Sequence, residues 1–188
     1  MTGKLIIFSA PSGSGKTTIV QHLVNNIPGL EFSISATSRK IRANEQDGKD
    51  YYFISAVDFR KKIEKKEFLE WEEVYKDQYY GTLRSEVDRI RYQGKHVVFD
   101  VDVLGGLNIK KQYGKDAISV FVRAPSLYEL EKRLRLRSTE DEASLKKRLE
   151  NAKNEMSYSE KFDFVLVNDE LGESLRSAEK IVRDFLNQ

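Results

Sequence analysis

Short apolar runs alternate along the chain with stretches in which apolar residues recur three or four positions apart. The runs typical of strands are 4–9, 31–35, 51–54, 68–74, 96–103, 117–122 and 164–167. Helical spacing predicts helices over 15–27, 57–67, 85–93 and 171–186, and two more between 126 and 156. Strands separated by helices favour a parallel sheet with right-handed crossovers, so the pattern predicts an α/β fold.

Capping and turn residues mark where several of these helices begin and end. Ser55 with Asp58, and Ser126 with Glu129, have the spacing of capping boxes at helix starts. Gly94 is placed to end the helix before it. Between about 37 and 93 the pattern changes to short polar strands and one charged helix, which predicts a subdomain inserted into the α/β core.

Composition narrows the class of protein. The chain has 188 residues, of which 39% are apolar and 33% charged, as is typical of a globular domain and not of disordered, collagen-like or coiled-coil chains. The net charge is only +2, so any anion site must come from the placement of particular residues. The lack of cysteine excludes disulfides and thiolate metal sites. No apolar run has the length of a membrane span or a signal peptide, and we therefore expect a soluble, cytoplasmic protein.

A glycine-rich connector lies between the first predicted strand and the first predicted helix. It follows the phosphate-loop pattern G-x-x-x-x-G-K-[ST] with alanine at its first position: Ala10, Pro11, Ser12, Gly13, Ser14, Gly15, Lys16 and Thr17. The N–H groups of such a loop face a phosphate. We expect Lys16 to reach the β- and γ-phosphates and Thr17 to place its hydroxyl on Mg²⁺. Alanine at position 10 requires that this residue not adopt a positive φ.

Two carboxylates end the apolar run that leads into 100–102. Asp100 and Asp102 are two positions apart, so in a strand both lie on one face. Ligands bind at the carboxyl edge of a parallel sheet, and we expect one of the two to be the acidic partner of Mg²⁺ and its waters. Residues 102–105 also fit the D-x-x-G motif of GTPases, but the chain has no N-K-x-D or T-K-x-D guanine motif, which excludes that class.

Further motifs follow in a characteristic order. They are S-x-S-x-T-x-R-x-x-R at 33–42, G-x-D-Y at 48–51, E-W at 70–71, Y-Y-G-T at 79–82 and D-x-D at 100–102. With the phosphate loop, they make the sequence similar to the guanylate kinase family from residue 4 through 169. The resemblance implies a single domain over 1–188: a P-loop kinase core (1–35, 95–125 and 157–188) with a parallel sheet flanked by helices, an inserted GMP-binding subdomain (about 36–94) and a helical lid (about 126–156).

The resemblance assigns residues to a GMP site. The matched positions are Arg39, Arg42, Tyr51 and Tyr80 for the phosphate, Ser35, Glu70 and Thr82 for guanine, and Asp100 and Asp102 as further GMP-binding residues. Guanine offers N1–H and an amino group side by side, which one carboxylate accepts together, whereas adenine has a lone pair at N1. We therefore expect Glu70 to recognise guanine and to project opposite Leu69 and Trp71. One extra residue after Trp71 makes Tyr79 the alternative to Tyr80.

The resemblance also assigns the lid and the ATP site. Arg133 and Arg137 lie on one flank of a leucine stripe and Arg148 on the edge of the next helix, where the family has arginines that close over the transferred phosphoryl group. Arg135 falls on the opposite flank and is expected to be solvated. The predicted ATP site contains the phosphate loop with Thr18, and Asn168 in the segment that lies beside adenine in the family.

The implied reaction is transfer of the γ-phosphoryl group of Mg-ATP to GMP or dGMP, giving ADP and GDP in guanine nucleotide metabolism. Catalysis would come from Lys16 and the arginines of both sites through positioning and charge stabilisation. The acceptor phosphate is already deprotonated, so His22 and His96 are expected to be structural. ATP and GMP are the expected partners, without nucleic acid or membrane, and the oligomeric state stays open.

Two other interpretations stay open. Guanylate-kinase-like domains of membrane-associated scaffold proteins bind phosphopeptides without catalysis, but they typically lack the intact phosphate loop that this chain has. The other alternative is a kinase for a different nucleoside monophosphate, and the presence of Glu70 with Ser35, which match guanine-reading positions, argues against it. Comparing turnover of GMP, AMP, UMP and dTMP separates the three hypotheses.

Overall fold

The computed structural model describes residues 3–137 and 142–188. Its strands are β1 (Leu5–Ser9), β2 (Leu30–Phe32), β3 (Ala36–Thr37), β4 (Tyr52–Phe53), β5 (Phe68–Tyr75), β6 (Gln78–Leu83), β7 (His96–Asp100), β8 (Ala117–Arg123) and β9 (Phe164–Val167). Its helices are α1 (Lys16–Asn26), α2 (Ala56–Glu64), α3 (Arg84–Tyr92), α4 (Val103–Tyr113), α5 (Leu127–Arg137), α6 (Glu142–Met156) and α7 (Leu171–Leu186). Helices flank a parallel sheet, which confirms the predicted α/β fold.

The chain divides into two compact units. The phosphate-loop unit comprises Leu5–Leu30 and Val98–Gln188, and the inserted unit comprises 3–4 and Glu31–Val97. The division of the core into a kinase domain and a separate lid stays a prediction.

A five-stranded sheet has the strand order β2-β7-β1-β8-β9. Strand β1 pairs in parallel with β8, Leu5 opposite Ala117, and β8 pairs in parallel with β9. All five residues of β1 and the first six of β8 are buried. Strands covered on both faces need apolar residues at successive positions, which explains why these runs lack alternation.

The inserted unit has a four-stranded sheet of its own, in the order β4-β3-β6-β5. Strand β3 is parallel to β4 and antiparallel to β6, and β5 and β6 form an antiparallel hairpin. Phe59 of α2 stacks on Phe68 and Tyr79, with ring centroids 4.1 and 5.2 Å away. This aromatic cluster, together with the buried Ala36, is the core that fixes the sheet against α2.

The predicted capping residues start their helices as expected. Ser55 Oγ accepts the N–H of Asp58 at 3.0 Å, and Ser126 Oγ accepts that of Glu129 at 3.1 Å. Several predicted boundaries were too long: the strand over 31–35 ends at Phe32, the helix over 57–67 ends at Glu64, and the strand over 96–103 ends at Asp100.

Three elements were not predicted. Strand β3, which has only two residues, lies just after the strand predicted over 31–35. Helix α4 was missed because Gly105 and Gly106 lower its helix propensity. Strand β6 was missed because its hairpin turn lacks the usual Asn-Gly or Asp-Gly signal, and Asp77 itself adopts the positive φ of 61°. In the described part of the chain, no helix is both long and apolar enough to cross a membrane.

Gly106 lets α4 pack closely on β1. A Cβ at this position would overlap Ser9 Oγ and lie 3.2 Å from Ile7 Cγ2. We expect Gly106→Ala to lower the free energy of unfolding by about 1–3 kcal/mol because of overpacking. Urea denaturation measures the change. In the matched variant Gly172→Ala, the nearest atom is Arg176 Nη1 at 3.6 Å, so the substitution should be neutral or slightly stabilising, and equal effects of the two would refute the packing argument.

Candidate functional site

The phosphate loop joins β1 to α1 with its glycines in conformations that other residues rarely adopt. Gly13 and Gly15 have φ values of 91° and 87°. Ala10 does not have a positive φ, as its side chain requires. Ser14 N–H donates to the Pro11 carbonyl at 3.2 Å, which closes the loop on itself. The two glycines and this hydrogen bond fix the turn that leads into the N-terminus of α1, the end of a helix at which anions are favoured.

Asp100, at the end of β7, meets both side chains that follow the loop. Lys16 Nζ lies 2.6 Å from Asp100 Oδ1 and also donates to the Val101 carbonyl at 2.9 Å. Thr17 Oγ1 donates to Asp100 Oδ2 at 3.3 Å. The carboxylate thus brings an ammonium and a hydroxyl together, and the roles of these groups toward a nucleotide phosphate and its metal ion stay predictions.

Asp102 has a different position from the one predicted. Because β7 ends at Asp100, the two carboxylates do not share one face of a strand. Asp102 instead caps α4 and accepts the N–H of Gly105 at 2.9 Å. A pocket of about 390 Å³ is lined by the phosphate loop, residues 100–102 and Glu155, a lining residue that the sequence analysis missed.

Asn168, just after β9, forms a hydrogen bond with the backbone of the phosphate loop. It is 5% exposed, and its Nδ2 donates to the Ser14 carbonyl at 2.8 Å. A Cβ on Gly15 would overlap that amide nitrogen. A second pocket of about 300 Å³ is lined by Gly13, Gly15, Thr18, Arg133, Leu136, Asn168, Asp169 and Leu171. The predicted ATP residues Thr18 and Asn168 therefore share a pocket with the loop glycines.

Two of the predicted lid arginines contact this region. Arg133 Nη1 donates to the Asn168 carbonyl at 2.9 Å, and Arg148 Nη2 donates to Ser12 Oγ at 2.7 Å. The side chain of Arg137 lies outside the described residues. The leucine stripe of α5 packs against α6 in a cluster that contains Leu130, Leu134, Leu145 and Ala152.

Arg135 is 48% exposed, as expected from its position on the opposite flank, and it also forms ion pairs. Its guanidinium pairs with Glu142 of α6 and, at 2.9 Å, with Glu131 of its own helix. These hydrogen bonds raise the pKa of Arg135. Arg135 therefore links the two helices on the flank opposite Arg133.

In the inserted unit, Arg39 lies beside two of the residues predicted with it, Tyr51 and Tyr80. Its Nε donates to Tyr80 Oη at 3.1 Å, and the guanidinium carbon lies 5.0 Å from the centre of the Tyr51 ring. Tyr79 is buried and stacks on Phe59, so Tyr80 is the tyrosine that faces Arg39. The structure thus brings Arg39, Tyr51 and Tyr80 together.

Glu45 holds Arg39 in place and was not identified from the sequence. Its two carboxylate oxygens each accept a guanidinium N–H of Arg39 at 2.6 Å, and the Arg42 backbone N–H donates to it at 2.9 Å. The hydrogen bond from Arg39 is the main reason that the pKa of Glu45 falls to about 2. In the sequence, Glu45 lies three positions after Arg42, and this spacing was the available signal for an acidic partner of the arginines.

Glu70 and Thr82 pair across the β5–β6 hairpin. Thr82, which is fully buried, donates its hydroxyl to Glu70 Oε1 at 2.7 Å. Leu69 and Trp71 were predicted to lie together on the face opposite Glu70, but the Trp71 side chain is 46% exposed. A register shift between Phe68 and Glu70 interrupts the alternation along β5. Ser35 precedes β3, and its carbonyl accepts the N–H of Tyr52 at 2.9 Å.

Both histidines make contacts away from these residues. His22 Nε2 lies 2.7 Å from Glu179 Oε1, and His96 Nδ1 accepts the N–H of Lys4 at 3.0 Å. Burial lowers the pKa of His96, with a smaller effect of Lys4. The neutral ring of His96 is therefore the acceptor that the Lys4 amide needs.

Comparison with known proteins identifies the family. A family profile described as guanylate kinase matches residues 2–185. The chain belongs to the guanylate kinase family. Guanylate kinase from Bacteroides thetaiotaomicron is 50% identical over 188 residues, covering 100% of this chain and 92% of the relative.

Other guanylate kinases agree with this assignment. Guanylate kinase from Thermotoga maritima is 42% identical over 97% of this chain and 87% of its own length. The crystal structure of guanylate kinase from Anaplasma phagocytophilum matches with a TM-score of 0.74 and 26% identity, covering 97% of this chain and 86% of that one. As a guanylate kinase, the chain catalyses the ATP-dependent phosphorylation of GMP to GDP, and the activity predicted from the sequence is confirmed.

The position of Asn168 leads to a test on ATP binding. Asn168→Ala leaves the Ser14 carbonyl without its donor, so the phosphate loop loses its support. We expect the Kd of ATP, measured by calorimetry, to rise about tenfold, the effect of one lost hydrogen bond at a buried site. GMP binding, followed through Trp71 fluorescence, serves as the internal control and should not change. ATP binding as tight as in the parent would show that the loop does not need Asn168.

Proposed function

We propose that the phosphate-loop unit binds ATP through the residues assigned from the sequence. The N–H groups of residues 10–15 and Lys16 would hold the β- and γ-phosphates, and the pocket beside Thr18 and Asn168 would take the adenosine end. Ser14 Oγ supports this arrangement, since it is buried beneath the loop and has no hydrogen-bond partner among the described residues. A bound phosphate offers the acceptor that this hydroxyl lacks.

The residues around Thr17 fit a magnesium ion carried by ATP. Mg²⁺ keeps several waters and takes one or two protein oxygens in addition to substrate phosphates. Thr17 and Asp100 would supply those oxygens, and the described residues contain no larger cluster of metal-ligating side chains. When bound, the ion would neutralise charge on the phosphates. Asp102 is committed to the cap of α4, which favours Asp100 for this role.

The inserted unit would bind GMP, and the Glu70–Thr82 hydrogen bond is the observation that carries this assignment. Thr82 donates to one carboxylate oxygen at 2.7 Å and so orients the side chain of Glu70. An ionised carboxylate accepts N1–H and the amino group of guanine. Ser35 would contact the base, and the phosphate would bind the group formed by Arg39, Arg42, Tyr51 and Tyr80.

Phosphoryl transfer between two anions requires cations that are already in position. The bond from the γ-phosphorus to the oxygen it shares with the β-phosphate breaks, and a new bond forms to a phosphate oxygen of GMP. Lys16 would stabilise the leaving phosphate, and Arg133, Arg137 and Arg148 the charge on the transferred group. The acceptor oxygen carries no proton at neutral pH, so no general base is needed. A cytoplasmic location, the use of dGMP and the lack of nucleic-acid partners stay predictions.

Glu70→Gln tests the GMP assignment. An amide cannot accept both guanine donors, so we expect kcat/KM for GMP to fall about tenfold or more, with KM for ATP unchanged. ADP release is measured with Mg-ATP and GMP, AMP, UMP or dTMP in parallel. Glu73→Gln is the matched control on the same strand, where Glu73 only accepts the Asp77 N–H at 2.8 Å. Undiminished GMP turnover by the Glu70 variant would exclude Glu70 as the guanine-binding residue.

Asp100→Asn tests the magnesium assignment. The substitution removes the charge that Lys16 and Thr17 both contact, and we expect the Mg²⁺ concentration for half-maximal rate to rise about tenfold or more. Rates are measured at fixed ATP and GMP while Mg²⁺ is varied. Asp116→Asn, an exposed carboxylate just before β8, is the control. The same magnesium dependence in both variants would contradict the role of Asp100.

A further inference from the structure

A buried carboxylate in the inserted unit takes no part in the sites described so far. Glu86, in the first turn of α3, is only 3% exposed. Acidic side chains are rarely buried to this extent unless donors compensate the charge. The identity of those donors shows what Glu86 does in the fold.

Four N–H and O–H donors converge on the two oxygens of Glu86. Oε1 accepts the Ile34 backbone N–H at 3.4 Å and Arg89 Nη2 at 2.9 Å. Oε2 accepts Arg89 Nε at 2.9 Å and the Tyr52 hydroxyl at 3.0 Å. Burial raises the pKa of Glu86, but these hydrogen bonds outweigh it and the pKa lies below its usual range. The carboxylate is therefore ionised at neutral pH and accepts all four hydrogen bonds.

Two of these donors lie next to residues assigned to GMP. Ile34 immediately precedes Ser35, and Tyr52 immediately follows Tyr51. The Tyr52 N–H also donates to the Ser35 carbonyl at 2.9 Å. One carboxylate thus fixes the segment that carries the proposed guanine contact and the segment that carries the proposed phosphate contact.

A third segment is attached to Glu86 through the chain itself. Helix α3 begins directly after β6, which carries Tyr80 and Thr82, so Glu86 lies four positions beyond Thr82. Arg89 completes the arrangement, because it donates to Glu86 and also to Glu31 at 2.7 Å. The charge of Glu86 is thereby neutralised without the use of Arg39 or Arg42.

We propose that Glu86 is a positioning residue for GMP, which sets the spacing of the Ser35, Tyr51 and Tyr80 segments without contacting the nucleotide. The inference rests on the proposed GMP site. Loss of one acceptor leaves either Ile34 N–H or Tyr52 Oη unpaired and lets the two segments move apart. Such a change weakens GMP binding and leaves ATP binding, which uses the other unit, as it was.

The test compares two variants with one matched control. Glu86→Gln keeps the shape of the side chain but loses the charge, and Tyr52→Phe removes only the hydroxyl. Glu31→Gln is the control: it alters the same ion network at Arg89 and spares the bonds from Ile34 and Tyr52. For each variant, the Kd of GMP is measured from Trp71 fluorescence, KM for both substrates from ADP release, and Tm by circular dichroism. Trp71 is the single tryptophan of the chain, next to Glu70.

We expect the Kd and KM of GMP to rise about tenfold in Glu86→Gln and a few-fold in Tyr52→Phe, as for hydrogen bonds to a charged group. KM for ATP should not change, and the Glu31 variant should lose Tm without a change in KM for GMP. If Tm falls in the Glu86 variant while KM for GMP stays at the parent value, Glu86 is structural only and the proposal is overturned. Should Glu86→Gln fail to fold, an unchanged KM in Tyr52→Phe overturns it equally.

Failure of the proposed GMP site gives a different result. Ser35→Ala and Tyr51→Phe alter the proposed contacts directly. If neither changes the Kd of GMP, the site assignment is wrong and the role of Glu86 is refuted with it. If both raise the Kd while the Glu86 and Tyr52 variants do not, the site stands and only the positioning role is excluded.

Discussion

Four cationic side chains assigned to the proposed nucleotide sites are fixed by contacts with other groups of the protein. Lys16 lies against Asp100, Arg39 against Glu45, Arg133 against the Asn168 carbonyl and Arg148 against Ser12. In a chain with a net charge of only +2, we expect this fixed placement, and not bulk positive charge, to be the source of anion affinity. Preorganised donors also need little rearrangement during the reaction, which is the main source of electrostatic catalysis.

Much of the fold follows from local sequence patterns, and the failures have local causes. The boundaries of β9 and α7 were predicted to the residue, because each is a clear apolar pattern with polar residues on both sides. Helix α4 carries two adjacent glycines, one of which, Gly106, packs closely on β1, and helix propensity alone does not indicate that contact. Because α4 was not recognised, the strand predicted over 96–103 ran past Asp100 into the start of this helix, which Asp102 caps.

Residues of the candidate site were assigned from the sequence where a motif contains them. They were missed where their partners come together only in the folded chain. Lys16, Arg39 and Glu70 were assigned by motif. The structure places them against Asp100, Tyr80 and Thr82, and their roles toward a nucleotide stay predictions. Glu45 and the ion pairs of Arg135 were missed because the partners are known only once α6 and the 39–45 segment are folded. The burial of Asn168 under Gly15 likewise depends on β9 ending beside the loop.

Contact between the loop and α5 has a consequence for how this sequence can vary. A Cβ on Gly13 would lie 2.9 Å from Leu134 Cδ2 and 3.3 Å from Leu130 Cδ1, the same leucines that pack α5 on α6. Positions 13, 130 and 134 therefore share one volume, and a larger residue at any of them has to be matched by a smaller one at another. The shape of the turn at Gly13 therefore limits which residues the α5–α6 core can accept, so these positions should change together among descendants of this sequence.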